Sequence, residues 1–226
     1  GYCVGEPWNQ QAVTKGLGVP VITSENIWTD GADKVFGLTG EFVQKNPNTT
    51  VRVVKALIRA SYWLDENGNA NRPEAVKIIA RPAYVGADET VIASSMTGTF
   101  EFEKGDKRPI PDFNKFFRGQ YGIPYYSDAI WWLTQMRRWG HITENKPDNW
   151  YLETAQKAFR PDIYVAAAKE LIADGVMKAS DFPDLDNATF IKAPQAGPLD
   201  GIVYDGTQPN VYVDSFAIGL KGSAQP

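Results

Sequence analysis

The stretch GYCVGEPWNQQ, residues 1–11, decides how the chain is interpreted. Its first four residues contain an apolar run that is typical of the end of a buried strand. Gly5 then gives the backbone freedom, Pro7 suits the first turn of a short helix because it has no N–H to donate, and Trp8 adds a large apolar ring. Such an order is typical of a strand that delivers a loop to a site inside a fold. We therefore expect an N-terminal portion of the fold to precede residue 1.

The composition narrows the class of protein. A chain of 226 residues has room for one large domain or two small ones, and its 43% hydrophobic and 22% charged residues are ordinary for a globular protein. A net charge of -4 argues against a general nucleic-acid binder, and no apolar run is long enough to cross a membrane. The single cysteine, Cys3, excludes an internal disulfide and a thiolate metal cluster, and we expect it to be a small buried strand residue.

Helical periodicity is clear in several segments. It predicts a helix that begins near Pro47 and ends at the turn-rich DENGNANRP, a short helix over 73–80, a helix over 126–140 and a helix over 160–175. In the third of these helices we expect Ser127 to cap the first turn. Because that helix is amphipathic, we expect its tryptophans to be mostly buried (Trp131, Trp132 and Trp139).

Strand signals are sparse. The candidate strands are residues 1–4, 18–24 and 35–39. Residues 87–96 fit either a helix or a strand. Residues 98–113 have the composition of a loop with a charged turn, and the tail over 200–219 fits a hairpin or an extended wrap. We therefore expect an α/β fold in which most of the sheet lies before residue 1.

Motifs for catalysis and for metals are absent from the sequence. It has no phosphate loop, no dinucleotide-binding glycine fingerprint, no H-E-x-x-H and no nucleophile elbow. The only histidine, His141, follows a predicted helix end, where a structural role is expected. Residues 181–187 lack the glycine and the closing glutamate of a calcium loop and are interpreted as a solvated turn. The case for an enzyme is therefore poor, and we expect no catalytic residue, no cofactor and no metal site in this sequence.

Several longer segments carry a resemblance to a known family. They are YCVGEPWNQQAV at 2–13, VITSENIW at 21–28, DKVFGLTGEFVQKNP at 33–47, WWLTQMRRWG at 131–140, FRPDIYVAAAKEL at 159–171 and the tail at 200–219. In this order they resemble the C-terminal half of the solute-binding proteins of nitrate, bicarbonate and cyanate ABC transporters. The nitrate-binding branch is the most similar.

The resemblance implies a two-lobed periplasmic-binding-protein fold of type II, in which two α/β lobes close on a cleft by hinge motion. Family members are about twice this length. On that template residues 1–25 form the end of the second lobe and the crossover. Residues 26–226 form the C-terminal part of the first lobe with a wrapping tail. The resemblance also implies a periplasmic, exported or lipid-anchored protein whose partners are the permease and ATPase subunits of an importer.

The resemblance further implies where a small anion binds. Gly5 matches a glycine whose peptide N–H approaches the anion, because a residue without Cβ lets the backbone come close. Lys34 matches a lysine that contacts nitrate. In the bicarbonate-binding relatives an acid that works with calcium replaces this lysine, so Lys34 favours nitrate or nitrite. Glu6 is expected to orient the loop or brace Lys34, and Trp8 to pack under the cleft.

Other functions stay open at this point. A cytoplasmic nitrate sensor of the same family would differ only in its export signal and its partner, and a bicarbonate-binding relative would need calcium. An enzyme on the same scaffold, such as one that builds a thiamine pyrimidine, would need a histidine or cysteine cluster at the cleft. A sugar-binding module would need exposed, coplanar aromatic side chains.

Overall fold

The computed structural model describes residues 1–29, 31, 33–196, 200–217 and 219. The helices are α1 (Trp8–Thr14), α2 (Ser24–Ile27), α3 (Gly40–Lys45), α4 (Pro47–Asn69), α5 (Arg72–Ile79), α6 (Glu89–Met96), α7 (Tyr126–Arg138), α8 (Asp148–Ala158), α9 (Pro161–Ala173) and α10 (Pro209–Asp214). The strands are β1 (Thr99–Glu103) and β2 (Asp106–Pro109), and short 3-10 turns cover Arg118–Gln120 and Ala179–Asp181. None of the helices in these described ranges has the length and apolar character needed to cross a bilayer.

The predicted helices over 73–80, 126–140 and 160–175 are confirmed as α5, α7 and α9, and the helix near Pro47 is confirmed as α4. Helix α4 leaves helical geometry at Glu66, and Asn67 and Gly68 follow with positive φ angles of 50° and 67°. Asparagine and glycine tolerate this left-handed conformation, so the predicted turn chemistry ends the helix as expected.

The chain divides into two compact units. The first unit comprises residues 1–29 and 57–122, and the second comprises 30–56 and 123–226. These units are defined by internal packing, and the predicted assignment of 1–25 and 26–226 to two lobes stays a prediction.

In the first unit, α1 and α6 pack against a two-stranded antiparallel sheet, and α5 packs against α6. Its buried apolar side chains come from each of these elements and include Val13, Val76, Ile92 and Phe100. The sheet itself corrects the sequence interpretation, which had residues 98–113 as a loop. Thr99 pairs with Pro109 and Glu101 with Lys107, and Gly105 makes the turn at a φ of 93°.

A buried ion pair organises the centre of the first unit. One oxygen of the Asp65 carboxylate accepts a hydrogen bond from Arg72 at 2.7 Å. The other oxygen accepts from the three backbone N–H groups of residues 116–118 at 2.7 to 3.1 Å. The side chains of Asp65 and Arg72 are only 3% and 1% exposed. Arg72 also donates to three backbone carbonyls, those of Leu64, Met96 and Asn114. This network therefore ties the loop before Arg118 to α4 and α5.

The second unit is built on α7, which contacts α8 and α10. Its buried side chains include Ile130, Tyr151, Leu171 and Tyr212. Ser127 does not cap α7, because the helix begins one residue earlier and Tyr125 is the N-cap residue. The buried Ser127 hydroxyl instead accepts a hydrogen bond from the backbone N–H of Lys192 at 3.1 Å.

The structure of the tail agrees only in part with the two predicted alternatives, a hairpin and an extended wrap. Gln195 and Tyr204 form an isolated antiparallel bridge, and residues 209–214 then form helix α10. Residues 197–199, 218 and 220–226 lie outside the described residues, so that part of the tail prediction stays a prediction.

Four further expectations are wrong in this chain. Residues 1–4, 18–24 and 35–39 are not strands, since none of them has a strand partner in the described part of the chain. Cys3 is exposed. Residues 87–96, which fit either a helix or a strand, contain α6.

The tryptophans of α7 also differ from the prediction. Trp132 and Trp139 are exposed, and Met136 lies between them on the same exposed face. The helix buries Ala129, Ile130 and Thr134 instead. Periodicity identified α7 as amphipathic, but it could not show which of two apolar flanks faces the core.

Candidate functional site

The loop before α1 holds three of the predicted site residues. The Gly5 carbonyl accepts a hydrogen bond from the Trp8 N–H at 3.4 Å, and the Glu6–Pro7 peptide bond is cis. One Glu6 oxygen accepts from the Gln10 N–H at 3.3 Å. A carboxylate beside a helix N-terminus satisfies a free N–H of the first turn. This contact joins Glu6 to the first turn of α1, and the roles that the resemblance implies for Glu6 and Gly5 stay predictions.

Trp8, the third of these residues, is exposed at the start of α1. Within the described residues of the first unit its ring is therefore not enclosed. Its predicted packing beneath a cleft stays a prediction.

Gln10, which the sequence interpretation missed, anchors this loop. Its fully buried side chain donates to the Glu101 carbonyl at 3.0 Å and accepts from the Glu101 N–H at 3.0 Å. The Ser94 hydroxyl donates to the same amide oxygen. The side-chain amide therefore pairs with β1 as a neighbouring strand would. The available signal was the helical spacing of Gln10 and Val13, which puts the glutamine on the buried face of α1.

Lys34 lies in the second unit, in a segment without regular secondary structure. Its side chain is 73% exposed, and its Nζ lies 2.7 Å from the carboxylate of Asp33, which is equally exposed. Exposed pairs of this kind are worth at most about 1 kcal/mol. The ammonium can therefore exchange Asp33 for another anion at little cost. Because Gly5 lies in the first unit, the predicted meeting of Gly5 and Lys34 on one anion stays a prediction.

An apolar groove of about 310 Å³ lies in the second unit, between α7 and α8. It is lined by Asp33, Val35, Ala129, Trp132, Leu133, Thr154, Ala155, Ala158 and Phe159. A small oxyanion needs N–H or cationic donors, and this lining is almost entirely apolar. The groove is therefore unsuited to such a ligand.

A second, polar groove of about 280 Å³ involves the C-terminal end of α7. Its cationic members are Arg137 and Lys146. The buried Arg137 donates to the carbonyls of Ile142 and Thr143 and to the Asn145 side chain, and Lys146 pairs with Glu144. Both charges therefore hold the chain around α7 together, and this groove is a weaker anion candidate than Lys34.

In the part of the chain that the structure describes, side chains of metal-binding type are not clustered. In the described ranges, no group of three or more histidine, cysteine, aspartate or glutamate side chains is placed to hold a metal ion. Asp184 accepts hydrogen bonds from the N–H groups of Asp186 and Asn187, so the 181–187 segment forms a turn closed by its own side chain. His141 donates its backbone N–H to the Met136 carbonyl at the end of α7.

Comparison with known proteins bears on the identity of the fold. A model of the NMT1-like family matches residues 1–80. The nitrate import ATP-binding protein NrtC of Synechocystis sp. PCC 6803 is 33% identical over 96% of this chain and 30% of its own length. The nitrate/nitrite binding protein NrtA of Nostoc sp. PCC 7120 is 28% identical over 96% of this chain and 47% of its own length. Proteins of bicarbonate transport match at 26 to 30% identity.

The structural comparison agrees with the sequence comparison. The crystal structure of the periplasmic nitrate-binding protein NrtA from Synechocystis PCC 6803 superposes with a TM-score of 0.83 and 26% identity. The match covers 95% of this chain and 53% of that one. The mixed helix and sheet structure is therefore part of a periplasmic-binding-protein fold, as predicted. The chain spans about half the length of the nitrate-binding relatives that it matches, and over nearly all of its own length it is similar to nitrate/nitrite binding proteins.

Proposed function

We propose that this chain is part of the substrate-capturing component of an ABC importer for a small oxyanion, nitrate or nitrite. The observation that carries the proposal is the TM-score of 0.83 with a periplasmic nitrate-binding protein, over 95% of this chain. A solute-binding protein holds its ligand through charges and donors and makes no covalent bond. The proposed component works in the periplasm and delivers the anion to permease and ATPase subunits.

Lys34 is the proposed cation of the site. An ammonium offers a charge and three donors in any direction, which suits a small anion that accepts hydrogen bonds weakly. Its present partner, Asp33, is the adjacent residue and is exposed, so an incoming anion does not have to break a buried pair. Gly5 is the proposed backbone donor, with Glu6 as the residue that orients its loop and Trp8 as a neighbouring wall.

A titration of the full-length protein tests the proposal. We expect wild type to bind nitrate, and Lys34→Ala to bind it about 10- to 100-fold more weakly, because a hydrogen bond to a charged group is worth about 1.5–3 kcal/mol. Lys45→Ala is the matched control, since Lys45 is also an exposed lysine paired with an exposed acid, Glu41, one helical turn away. Equal nitrate affinity in wild type and Lys34→Ala would remove Lys34 from the site.

The same titration, repeated with bicarbonate and calcium, separates the branches of the family. A calcium-dependent preference for bicarbonate would assign the chain to the bicarbonate transporters, whose proteins also match it. Binding of neither anion would reject the proposed function.

A second candidate is favoured by one observation. The relative at 33% identity is named an ATP-binding protein, and this chain matches 30% of its length. In that case the chain would be an anion-sensing portion of the ATPase subunit itself. Sequencing the gene on both sides of this region distinguishes the two candidates, because an adjoining ATP-binding domain is expected only in the second.

A further inference from the structure

Helix α1 is bonded to the rest of the first unit through the side-chain amide of Gln10. The amide oxygen accepts hydrogen bonds from the Glu101 N–H at 3.0 Å and from the Ser94 hydroxyl, and the amide nitrogen donates to the Glu101 carbonyl at 3.0 Å. Among the described residues, the other side-chain hydrogen bonds of α1, those of Asn9 and Thr14, reach only α1 itself and the loop before it. The two bonds to the backbone of Glu101 therefore fix where α1 lies along β1.

Gln10 also bonds to the loop that precedes α1. Its backbone N–H donates to the Glu6 carboxylate at 3.3 Å, and in the same loop the Trp8 N–H donates to the Gly5 carbonyl at 3.4 Å. Because Gln10 is only 1% exposed, water cannot replace a partner that its amide loses. One residue thus joins the loop, through its backbone, to the strand, through its side chain.

A loop this short moves with the helix that it enters. When α1 shifts, the N–H of Gly5, the proposed backbone donor, shifts with it. The apparent affinity of a ligand falls in proportion to the fraction of molecules whose binding geometry is intact. Any loss of the Gln10 bonds is therefore expected to reach the anion site through this fraction.

We infer that Gln10 is a positioning residue of the proposed anion site, whose amide keeps the Gly5 loop in its binding geometry through Glu101 and Ser94. The inference rests on the proposed function and deepens it by naming a residue that sets the rate of anion capture. A residue that contacts the ligand acts mainly on the dissociation rate, because its bond breaks as the ligand leaves. A positioning residue acts on the association rate, because only molecules with the loop in place can bind.

Gln10→Met in the full-length protein tests the inference, since methionine is similar in size to glutamine but has no amide. Nitrate binding is followed by stopped-flow tryptophan fluorescence, with Trp8 beside the loop as a reporter. We expect nitrate affinity to fall about tenfold, with the loss in the association rate constant and the dissociation rate constant near that of wild type. Lys34→Ala, by contrast, should raise the dissociation rate constant.

Two control variants separate positioning from a general loss of stability. Thr14→Val removes a hydrogen bond of the same helix, from the Thr14 hydroxyl to the Gln10 carbonyl at 2.9 Å, that does not reach β1. Val76→Ala removes buried volume from α5 in the same unit and leaves the hydrogen bonds of Gln10 in place. We expect both rate constants to stay near wild type in each control.

Hydrogen exchange without nitrate tests the same role independently of the ligand. The amides of Trp8 and Gln11 donate to the carbonyls of Gly5 and Pro7, so their exchange reports opening of the loop and the first turn of α1. We expect both amides to exchange about tenfold faster in Gln10→Met than in wild type. The amides of α7, in the second unit, should exchange at unchanged rates.

The inference would be overturned by unchanged exchange at Trp8 and Gln11 in Gln10→Met. It would also be overturned by unchanged nitrate affinity in that variant, by an affinity loss that lies in the dissociation rate constant, or by an equal loss in Val76→Ala. If the wild-type protein binds no nitrate, the proposed function fails and the exchange measurement alone decides the inference. Faster exchange would then keep Gln10 as the residue that holds the loop.

Discussion

Replacement of Asp65 by asparagine tests the buried network of the first unit. The asparagine has the size of the aspartate but no charge. In the wild-type protein one carboxylate oxygen accepts a hydrogen bond from Arg72, and the other accepts hydrogen bonds from the N–H groups of residues 116–118. In Asp65→Asn an NH₂ group must replace one of these oxygens, so one set of donors loses its acceptor. In either orientation the Arg72 guanidinium, which is 1% exposed, loses its counter-charge.

The expected cost follows from this burial. Breaking a buried ion pair by removing one partner costs about 3–5 kcal/mol, because the remaining charge is left uncompensated. Domains are stable by about 5–15 kcal/mol, so the loss is a large part of the total. With a urea slope of about 2–3 kcal/mol/M, the unfolding midpoint of the first unit should fall by about 1–2.5 M.

The assay combines urea unfolding with amide hydrogen exchange. We expect faster exchange at residues 116–118 in Asp65→Asn, since their acceptor is lost. Asp112→Asn is the matched control in the same unit: Asp112 pairs with Arg118 at 2.6 Å, but both side chains are about half exposed. Exposed pairs contribute about 0–1 kcal/mol, so this control should unfold near wild type. A change below 1 kcal/mol for Asp65→Asn, with unchanged exchange at 116–118, would refute the reasoning.

Two further predictions concern buried ionisable groups. Burial opposes ionisation of Asp65, but the hydrogen bonds from the backbone N–H groups of residues 116–118 and from Arg72 outweigh it and hold the pKa below the ordinary 3.8. The stabilisation that ionised Asp65 contributes is therefore present above pH 3.8 and is lost as the pH falls below that value. Burial raises the pKa of Asp128 despite its pairing with Lys192, so its contribution has the opposite sign and declines as the pH rises through its folded pKa. Carboxyl NMR titration should place the two pKa values on opposite sides of 3.8, and the same side for both would contradict the burial argument. The Tyr164 hydroxyl is buried without a hydrogen-bond partner among the described residues. Tyr164→Phe should therefore not lower the free energy of unfolding and should raise it by up to about 1 kcal/mol. A loss above about 1 kcal/mol in chemical denaturation would show that a partner exists.

The helices were predictable because their signals are local. Helix α4 ends at asparagine and glycine with positive φ, and α9 begins at Pro161 and ends just before Gly175. The hairpin over 99–109 was missed although its signal was present. Thr99, Glu101 and Glu103 alternate with Phe100 and Phe102, the period of two that a strand requires. The many charges and prolines of the segment are typical of a loop and obscure this alternation.

The candidate site was predictable only through the resemblance. An exposed lysine beside an aspartate, such as Lys34 beside Asp33, is common on protein surfaces and has no chemical mark that distinguishes it. The buried polar residues that hold the first unit together could not be predicted for a different reason. Gln10 and Asp65 are polar residues within helical segments, and a pattern of apolar positions gives no sign that a polar side chain is turned inward to hold a distant backbone.

These anchors bear on how a weakly accepting anion could be held. Such a ligand gives little energy per contact, so affinity depends on donors that are already fixed before the ligand arrives. The loop that carries Gly5 is short, and it continues directly into α1, whose Gln10 is bound at both the N–H and the C=O of Glu101. The position of that loop therefore depends on a buried side chain of α1 that bonds to β1. Under the proposed function, a substitution at Gln10 should weaken anion binding without removing a single ligand contact, whereas a substitution at Lys34 removes the contact and leaves the fold intact.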